Sequence, residues 1–230
     1  MKNSNKGFRF FGTNTNRNNM KKCTILFTAC LFQAGSMFSQ TQTYDTFENG
    51  KSLMYNTKTG GALNALAPNP ASSKLNDSPK CAKYVRSGKQ KYDNIKIGLN
   101  GKLNDVDKYA VYTGIPPTIS MKLYTTAPVG TLVEIQLGKL GDQYPAGINS
   151  QYQAYTTVTN AWEELKFKFS ETPKGSETSA TQVEQITLLF NPNSSTRDTY
   201  YFDDITGPTL ISEKSDLIAA PAKKDKIATK

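Results

Sequence analysis

The stretch that decides the fold is residues 131–138 (TLVEIQLG), in which apolar and polar side chains alternate. Three apolar side chains point to one side of an extended chain and two polar ones to the other: Val133, Ile135 and Leu137 against Glu134 and Gln136. The same period of two recurs in residues 92–99 and 162–169. Such alternation leaves one face of a sheet in the core and the other in water, so it predicts an antiparallel sandwich.

Short segments with strand composition follow one another along the rest of the chain. We predict nine strands, at residues 43–48, 80–86, 92–99, 119–125, 131–138, 151–158, 162–169, 183–190 and 199–205. Turn formers such as Gly60-Gly61 and Pro173 to Gly175 separate them, and no segment has a long helical period. The predicted fold class is therefore all-β, an antiparallel two-sheet β-sandwich or jelly roll.

Residues 1–39 are predicted to be an N-terminal extension followed by a secretory signal peptide, whose three-part pattern lies in residues 20–39. A basic start at Met20-Lys21-Lys22 leads into an apolar run over residues 23–32, which is too short to span a bilayer, and small residues follow up to Ser39. We therefore expect a secreted, periplasmic or cell-surface protein without a transmembrane span. A lipid anchor at Cys30 is the disfavoured alternative, because Leu31 and Phe32 continue the apolar run beyond it.

The net charge of +9 lies mostly outside the predicted domain, residues 40–212. The leader holds six Lys and Arg and no acids, and residues 213–230, predicted to be a disordered Lys-rich tail, hold five Lys against three acids. That leaves 17 basic and 16 acidic residues in the domain, a net charge of +1. A nearly neutral domain lacks the basic surface that nucleic acid requires, so no nucleic-acid partner is expected.

Histidine is absent, which removes the commonest general acid or base and every Ser-His or Cys-His nucleophile arrangement. Of the three cysteines, Cys23 and Cys30 belong to the predicted leader. Cys81 alone remains, so the domain cannot form an internal disulfide, and its stability must come from a good core or a bound metal.

Three segments carry a resemblance to a known family: residues 46–50 (TFENG), 161–169 (AWEELKFKF) and 200–205 (YYFDDI). Residues 69–71 (NPA) and 81–86 (CAKYVR) add to it. Over residues 43–206 the chain resembles the galactose-binding-domain-like β-sandwich carbohydrate-binding modules of secreted polysaccharide-utilisation proteins, notably of Bacteroidetes-type bacteria. The resemblance implies non-catalytic binding of a polysaccharide or oligosaccharide.

The resemblance also implies a structural calcium ion that joins the first and last strands. The positions that match its acidic ligands are Glu48 and Asp203, with Asp204 and Asp45 as possible additions. Calcium binds six to eight oxygens, so backbone carbonyls would have to complete the site. The alternative is that one Asp caps the strand end in water and the other meets a Lys or Arg.

Sugar rings present flat C–H patches, which pack on aromatic faces, and hydroxyls, which bond to amide, carboxylate or guanidinium groups. If the strands form one sheet face, parity predicts a binding surface of Tyr84, Arg86, Tyr92, Lys96, Tyr124, Glu134 and Gln136. A loop-tip site is the alternative, with Tyr55, Tyr144 and Tyr152 as candidates. Trp162 opens its strand, and we assign it a structural role.

Two other classes of function stay open. A jelly-roll polysaccharide lyase or glycoside hydrolase would need a catalytic pair such as Glu134 and Glu184, since the adjacent Glu163 and Glu164 point to opposite faces. A surface adhesion or structural protein needs no sugar ligand, and the fold alone does not exclude it. Because such modules are mostly attached to catalytic domains, a separate polysaccharide-degrading enzyme is a candidate partner. We expect no catalysis by this chain itself.

Overall fold

The structure, a computed structural model, describes residues 41–103, 118–179 and 182–211. The predicted leader and the predicted tail lie outside the described residues. No described residue belongs to a helix, so this part of the chain has no helix long and apolar enough to cross a membrane.

The described residues form fifteen strands in chain order. They are β1 (Thr41–Asp45), β2 (Met54–Asn56), β3 (Ala62–Pro68), β4 (Lys80–Val85), β5 (Ile95–Gly98), β6 (Lys102–Leu103), β7 (Ser120–Thr125), β8 (Leu132–Gly138), β9 (Gly147–Tyr155), β10 (Trp162–Lys166), β11 (Lys168–Glu171), β12 (Ser176–Glu177), β13 (Gln185–Phe190), β14 (Thr199–Pro208) and β15 (Leu210–Ile211).

Two sheets contain nearly all of these strands. Sheet one has the order β10-β7-β14-β4-β3, with β1 paired to β14. Sheet two has the order β11-β9-β8-β13-β5-β2, with β12 paired to β9. Every pairing is antiparallel except the short β12–β9 contact, and β15 pairs with β6 in a small third sheet. The all-β antiparallel fold predicted from the alternation is confirmed.

The apolar sides of both sheets meet in one core of buried side chains. Phe47, just after β1, and Phe202, in β14, pack edge to face with ring centroids 5.4 Å apart. Phe190 of sheet two stacks on Tyr200 of sheet one, with centroids 4.3 Å apart. Since β1 also pairs with β14, the prediction that the first strand lies beside the last long strand is confirmed.

The chain changes sheets within residues 162–169, which the sequence predicts as one strand. β10 pairs with β7 in sheet one, whereas β11 pairs with β9 in sheet two. Phe167, between them, is buried in the core, and its backbone N–H donates to Ile119 O at 3.0 Å. The prediction of a single strand over residues 162–169 is wrong. Apolar and polar side chains keep alternating across the change of sheet, so the sequence pattern gives no sign of it. The edge strands β2 and β3 were not predicted either.

Candidate functional site

Polar side chains from five neighbouring strands meet in one row on the outward surface of sheet two. In the order of strand pairing they are Gln151, Gln136, Thr187, Lys96 and Asn56. Glu134 and Gln153 are paired in the next row, and Gln185 lies in the row on the other side. We call the surface formed by these eight residues the polar face. The apolar side chains between them point into the core, as period two requires.

Amide groups hold the carboxylate of Glu134 in place on the polar face. Gln136 Nε2 donates to one carboxylate oxygen at 3.0 Å, and Gln153 Nε2 donates to the other at 3.0 Å. The Glu134 side chain is largely buried among its neighbours. A carboxylate fixed by two donors is a preorganised acceptor, with lone pairs left for hydroxyl groups of a ligand.

Two exposed tyrosines border the polar face. Tyr144, in the loop between β8 and β9, is 52% exposed, and its hydroxyl accepts a hydrogen bond from Gln151 Nε2 at 3.0 Å. Tyr92, just before β5, is 60% exposed. Partial burial and then the Glu134 carboxylate raise the pKa of Tyr144, so its phenol is neutral at physiological pH. Aromatic rings beside fixed amide and carboxylate groups can meet both the flat and the hydroxylated parts of a sugar.

Four of the seven predicted binding residues come together here: Tyr92, Lys96, Glu134 and Gln136. The other three do not. Tyr84 lies in the core, where its hydroxyl donates to Asp93 Oδ2 at 2.7 Å, and burial holds its pKa far above the usual range. The prediction that Tyr84 lies on an exposed face is wrong, because strand parity does not say which side of a strand is inside.

Arg86 is also misplaced by the parity argument, since it is 1% exposed and points into the sandwich. Its five guanidinium N–H groups donate to six backbone carbonyls, because the two hydrogens of Nη2 are shared among three acceptors. Three of the acceptors are in residues 87–91, after β4, and three are in residues 190–196, around the end of β13. Arg86 therefore has a structural role, and a ligand cannot reach it.

Tyr124 faces outward, but from sheet one. Its ring packs against Trp162 and Tyr201, with centroid distances of 5.9 and 5.8 Å. Trp162 is nearly buried, and its Nε1 donates to Asn69 Oδ1 at 3.0 Å, which fits the structural role assigned to it. The prediction that Tyr124 shares a surface with Glu134 is wrong, because the two strands belong to different sheets.

Of the three loop-tip candidates, two are buried and one is exposed. Tyr55 and Tyr152 are buried, and Tyr55 donates its hydroxyl hydrogen to Asp45 Oδ2 at 3.0 Å. Only Tyr144 reaches the polar face. Sequence reasoning missed three glutamines of that face, Gln151, Gln153 and Gln185. The alternation in residues 151–155 (QYQAY) carried the signal for the first two.

The candidate catalytic pair, Glu134 and Glu184, is not brought together. Glu134 pairs with Leu189 of β13, while Glu184 precedes β13 and donates its backbone N–H to Gly138 O. Glu184 is five residues before Leu189 along the chain, so Glu134 and Glu184 are roughly 16 Å apart along the strand direction. Paired catalytic carboxylates are about 5–9.5 Å apart. The polar face also contains neither of the two arginines outside the leader, since Arg86 is in the core and Arg197 follows β13.

The candidate metal ligands Glu48 and Asp203 are linked through two other side chains. Ser78 donates its hydroxyl hydrogen to Glu48 Oε1 and its backbone N–H to Asn76 Oδ1 at 3.2 Å. Asn76 Nδ2 donates to Asp203 Oδ2 at 3.0 Å. Asp203 is 1% exposed, and burial raises its pKa to about 6. Buried carboxylates are usually hydrogen-bonded or paired with a cation, and here the Asn76 amide is the side chain that bonds to Asp203.

The other two carboxylates have different partners. Asp204 Oδ2 lies 2.5 Å from Lys122 Nζ, so the expectation that Asp204 joins Asp203 in one site is wrong. Asp45 accepts hydrogen bonds from the backbone N–H groups of Phe47, Ser52 and Leu53. No group of three or more Asp, Glu, His or Cys side chains could hold a metal within the described ranges. A cation at Asp203 would therefore need Asn76, Ser78 and backbone oxygens as well as Glu48.

The sequence has no match among protein-family models or among curated proteins. Among solved structures, an exo-beta-agarase superposes with a TM-score of 0.50 at 10% identity, over 75% of this chain and 25% of the agarase chain. This chain thus spans about a quarter of that enzyme's length. The likeness shows a shared fold and nothing more.

Two carbohydrate-binding modules superpose less closely. A family 11 module from Clostridium thermocellum, solved with a beta-1,3-1,4-mixed-linked tetrasaccharide, has a TM-score of 0.46 at 13% identity, over 75% of this chain and 98% of the module. A family 30 module has a TM-score of 0.48 at 14% identity, over 80% of this chain and 93% of the module.

Proposed function

We propose that this protein binds a polysaccharide or oligosaccharide on the polar face of sheet two and does no chemistry on it. The observation that carries the proposal is the row of side chains from Gln151 to Asn56, ordered by strand pairing and bordered by Tyr92 and Tyr144. Amides and one fixed carboxylate supply donors and acceptors for sugar hydroxyls. The tyrosine rings supply the apolar surface for sugar C–H groups.

Affinity gel electrophoresis of the full chain tests this proposal. Mixed-linkage β-1,3-1,4-glucan, agarose and xylan are cast into separate native gels, and the chain's migration is compared with that in a gel without polysaccharide. We expect retardation in at least one gel and no cleavage products. New reducing ends or unsaturated products would show an enzyme instead. Unchanged migration in all gels, with no signal on a glycan array, would favour an adhesion or structural protein.

We propose further that a calcium ion lies between Glu48 and Asp203. The buried Asp203 carboxylate supports this proposal, because its hydrogen-bond donors Asn76 and the Asp204 N–H are neutral groups and do not balance its charge. Burial and then Asp203 raise the pKa of Cys81 to about 12, so its thiol stays protonated and the donor set is all oxygen. A bound ion would hold the segment after β1, residues 76–78 and β14 together, and its role would be structural.

Removing calcium should lower the melting temperature of the protein. At a hundredfold excess over its dissociation constant, the ion stabilises the native state by about 2.7 kcal/mol, which is about 5–10 °C for a domain of this size. Differential scanning fluorimetry in EDTA and in added calcium measures the shift. Glu48→Gln and Asp203→Asn should abolish it, while Asp204→Asn, which removes only the pair with Lys122, should retain it. Equal midpoints for the wild type in both buffers would refute the calcium site.

We place the protein outside the cytoplasm, secreted, periplasmic or on the cell surface, on the signal-peptide pattern of residues 20–39. The alternative is that Cys30 is modified by a lipid that anchors the protein to a membrane. A separate polysaccharide-degrading enzyme is the proposed functional partner, since a binding module raises the local concentration of an enzyme at its substrate.

A further inference from the structure

A cleft of about 650 Å³ opens at the edge of the sandwich where the chain crosses from β10 to β11. Its apolar lining comes from Ala154, Leu165 and Phe169. Its polar lining includes Thr157, Glu163, Glu164, Lys166 and Lys168. Tyr155, the last residue of β9, also lines it and is 56% exposed. This volume is within the range of small-molecule binding sites in proteins.

The cleft is continuous with the polar face. Gln153 lines the cleft, and the same amide donates to Glu134 Oε2 on the polar face. Tyr155 lies two residues beyond Gln153 and therefore projects from the same side of β9. Lys168, opposite Gln153 in β11, also lines the cleft. No other strand lies between the polar face and the cleft, because β9 contributes residues to both.

Tyr92 and Tyr155 lie at the same end of sheet two. β5 and β8 run in the same direction, since both are antiparallel to β13, and β9 runs opposite to them. The chain just before β5, which holds Tyr92, is thus level with the start of β8 and the end of β9, where Tyr155 pairs with Leu132. Three strand spacings, about 14 Å, separate β5 from β9. A glycan that crosses the strands at this end would pass from Tyr92 over Tyr155 to the cleft.

The charges in the cleft favour a neutral ligand. Glu163 is occupied, because it accepts hydrogen bonds from the Thr157 N–H at 2.9 Å and the Thr157 hydroxyl at 2.7 Å. Glu164 lies 3.5 Å from Lys166. The two Lys and two Glu that line the cleft balance each other. An exposed ring, an apolar floor and a balanced polar rim suit an uncharged pyranose.

We propose that the cleft is the far end of the glycan site, so that one neutral chain lies on the polar face, crosses Tyr155 and enters the cleft. This inference rests on the proposed function and deepens it. The protein should then discriminate by chain length, because a short oligosaccharide fills the polar face alone and a longer one fills the cleft as well.

Isothermal titration calorimetry of the full chain tests this with oligosaccharides of two to eight sugars, prepared from mixed-linkage β-glucan and from agarose. We expect affinity to rise with length until the cleft is filled. Tyr155→Ala should weaken the binding of the longest oligomer about tenfold and leave that of the shortest bound oligomer unchanged. Ser170→Met, which places a larger side chain in the cleft lining and keeps Tyr155, should have the same selective effect.

Tyr92→Ala is the matched control, because it should weaken short and long oligomers alike. If wild type and both cleft variants bind the longest oligomer equally well, the cleft is not part of the site, although the proposed function stands. If the wild type binds no oligomer of either series, migrates unretarded in every polysaccharide gel and gives no glycan-array signal, the proposed function and this inference fail together.

Discussion

Arg86→Met should leave little folded protein, even though Arg86 is not one of the eight residues of the polar face. The substitution removes six hydrogen bonds and leaves their carbonyl acceptors buried between the loop after β4 and residues 190–196. Hydrogen bonds to charged groups contribute about 1.5–3 kcal/mol each but do not add simply. We expect a loss of at least about 4–5 kcal/mol in the free energy of unfolding, a large part of the 5–15 kcal/mol typical of a domain.

Urea denaturation followed by tryptophan fluorescence measures this change, since Trp162 is the chain's single tryptophan. Arg86→Lys keeps the charge, but an ammonium group has three N–H donors where the planar guanidinium has five, so most of the loss should remain. Arg197→Met is the matched control, because Arg197 is exposed near the same loop and its loss should change stability by less than about 0.5 kcal/mol. Equal urea midpoints for Arg86→Met and Arg197→Met would contradict the structural role.

Tyr92→Ala and Tyr144→Ala should each weaken glycan binding about 10- to 100-fold, with almost no change in stability. Burying a tyrosine-sized apolar surface against a ligand contributes about 1.5–3 kcal/mol, which corresponds to that range of affinity. Both rings are more than half exposed in the free protein, so removing them costs the fold little. Calorimetric titration with the polysaccharide that retards the chain gives the affinities, and thermal melts give the stability.

Two control variants test whether binding depends on the tyrosine ring, on its hydroxyl group, or on which sheet carries the tyrosine. Tyr144→Phe keeps the ring and removes the acceptor for Gln151 Nε2, so it should weaken binding less than Tyr144→Ala. Tyr124→Ala removes a tyrosine from the outward surface of sheet one and should leave the affinity unchanged. Loss of binding on Tyr124→Ala, with Tyr92→Ala and Tyr144→Ala intact, would move the site to the other sheet.

The Arg86 variants should change mainly the stability of the protein, and the Tyr92 and Tyr144 variants should change mainly its affinity for the glycan. Arg86 ties the loop after β4 to residues 190–196, and the Tyr84–Asp93 hydrogen bond fixes the segment between β4 and β5. Together they hold Lys91 and Asp93, the neighbours of Tyr92, but neither bonds to one of the eight residues of the polar face. The polar face is built on strands of sheet two, whose inward side chains are the core itself. Side chains on such a rigid platform keep their positions without a ligand, which lowers the entropy that binding must overcome.

Local alternation was enough to predict much of this molecule. Period two in residues 131–138 and 92–99 indicated strands and separated Glu134, Gln136 and Lys96 from the apolar side chains that became the core. The absence of histidine removed the commonest general acid or base. These features depend on neighbours within a few residues, or on composition, and the sequence contains both. That the strands beside Phe47 and Phe202 lie together was implied only by the family resemblance of their segments.

The sequence by itself determined that the chain is an antiparallel β-protein and which side chains share a side of each strand. Only the tertiary structure decided which side is inside and which strands share a sheet, because both depend on partners far along the chain. Tyr84 and Arg86 turn inward since Asp93 and the carbonyls of residues 190–196 satisfy them there. Tyr124 is separated from Glu134 because β7 pairs with β10 and β14 rather than with β8.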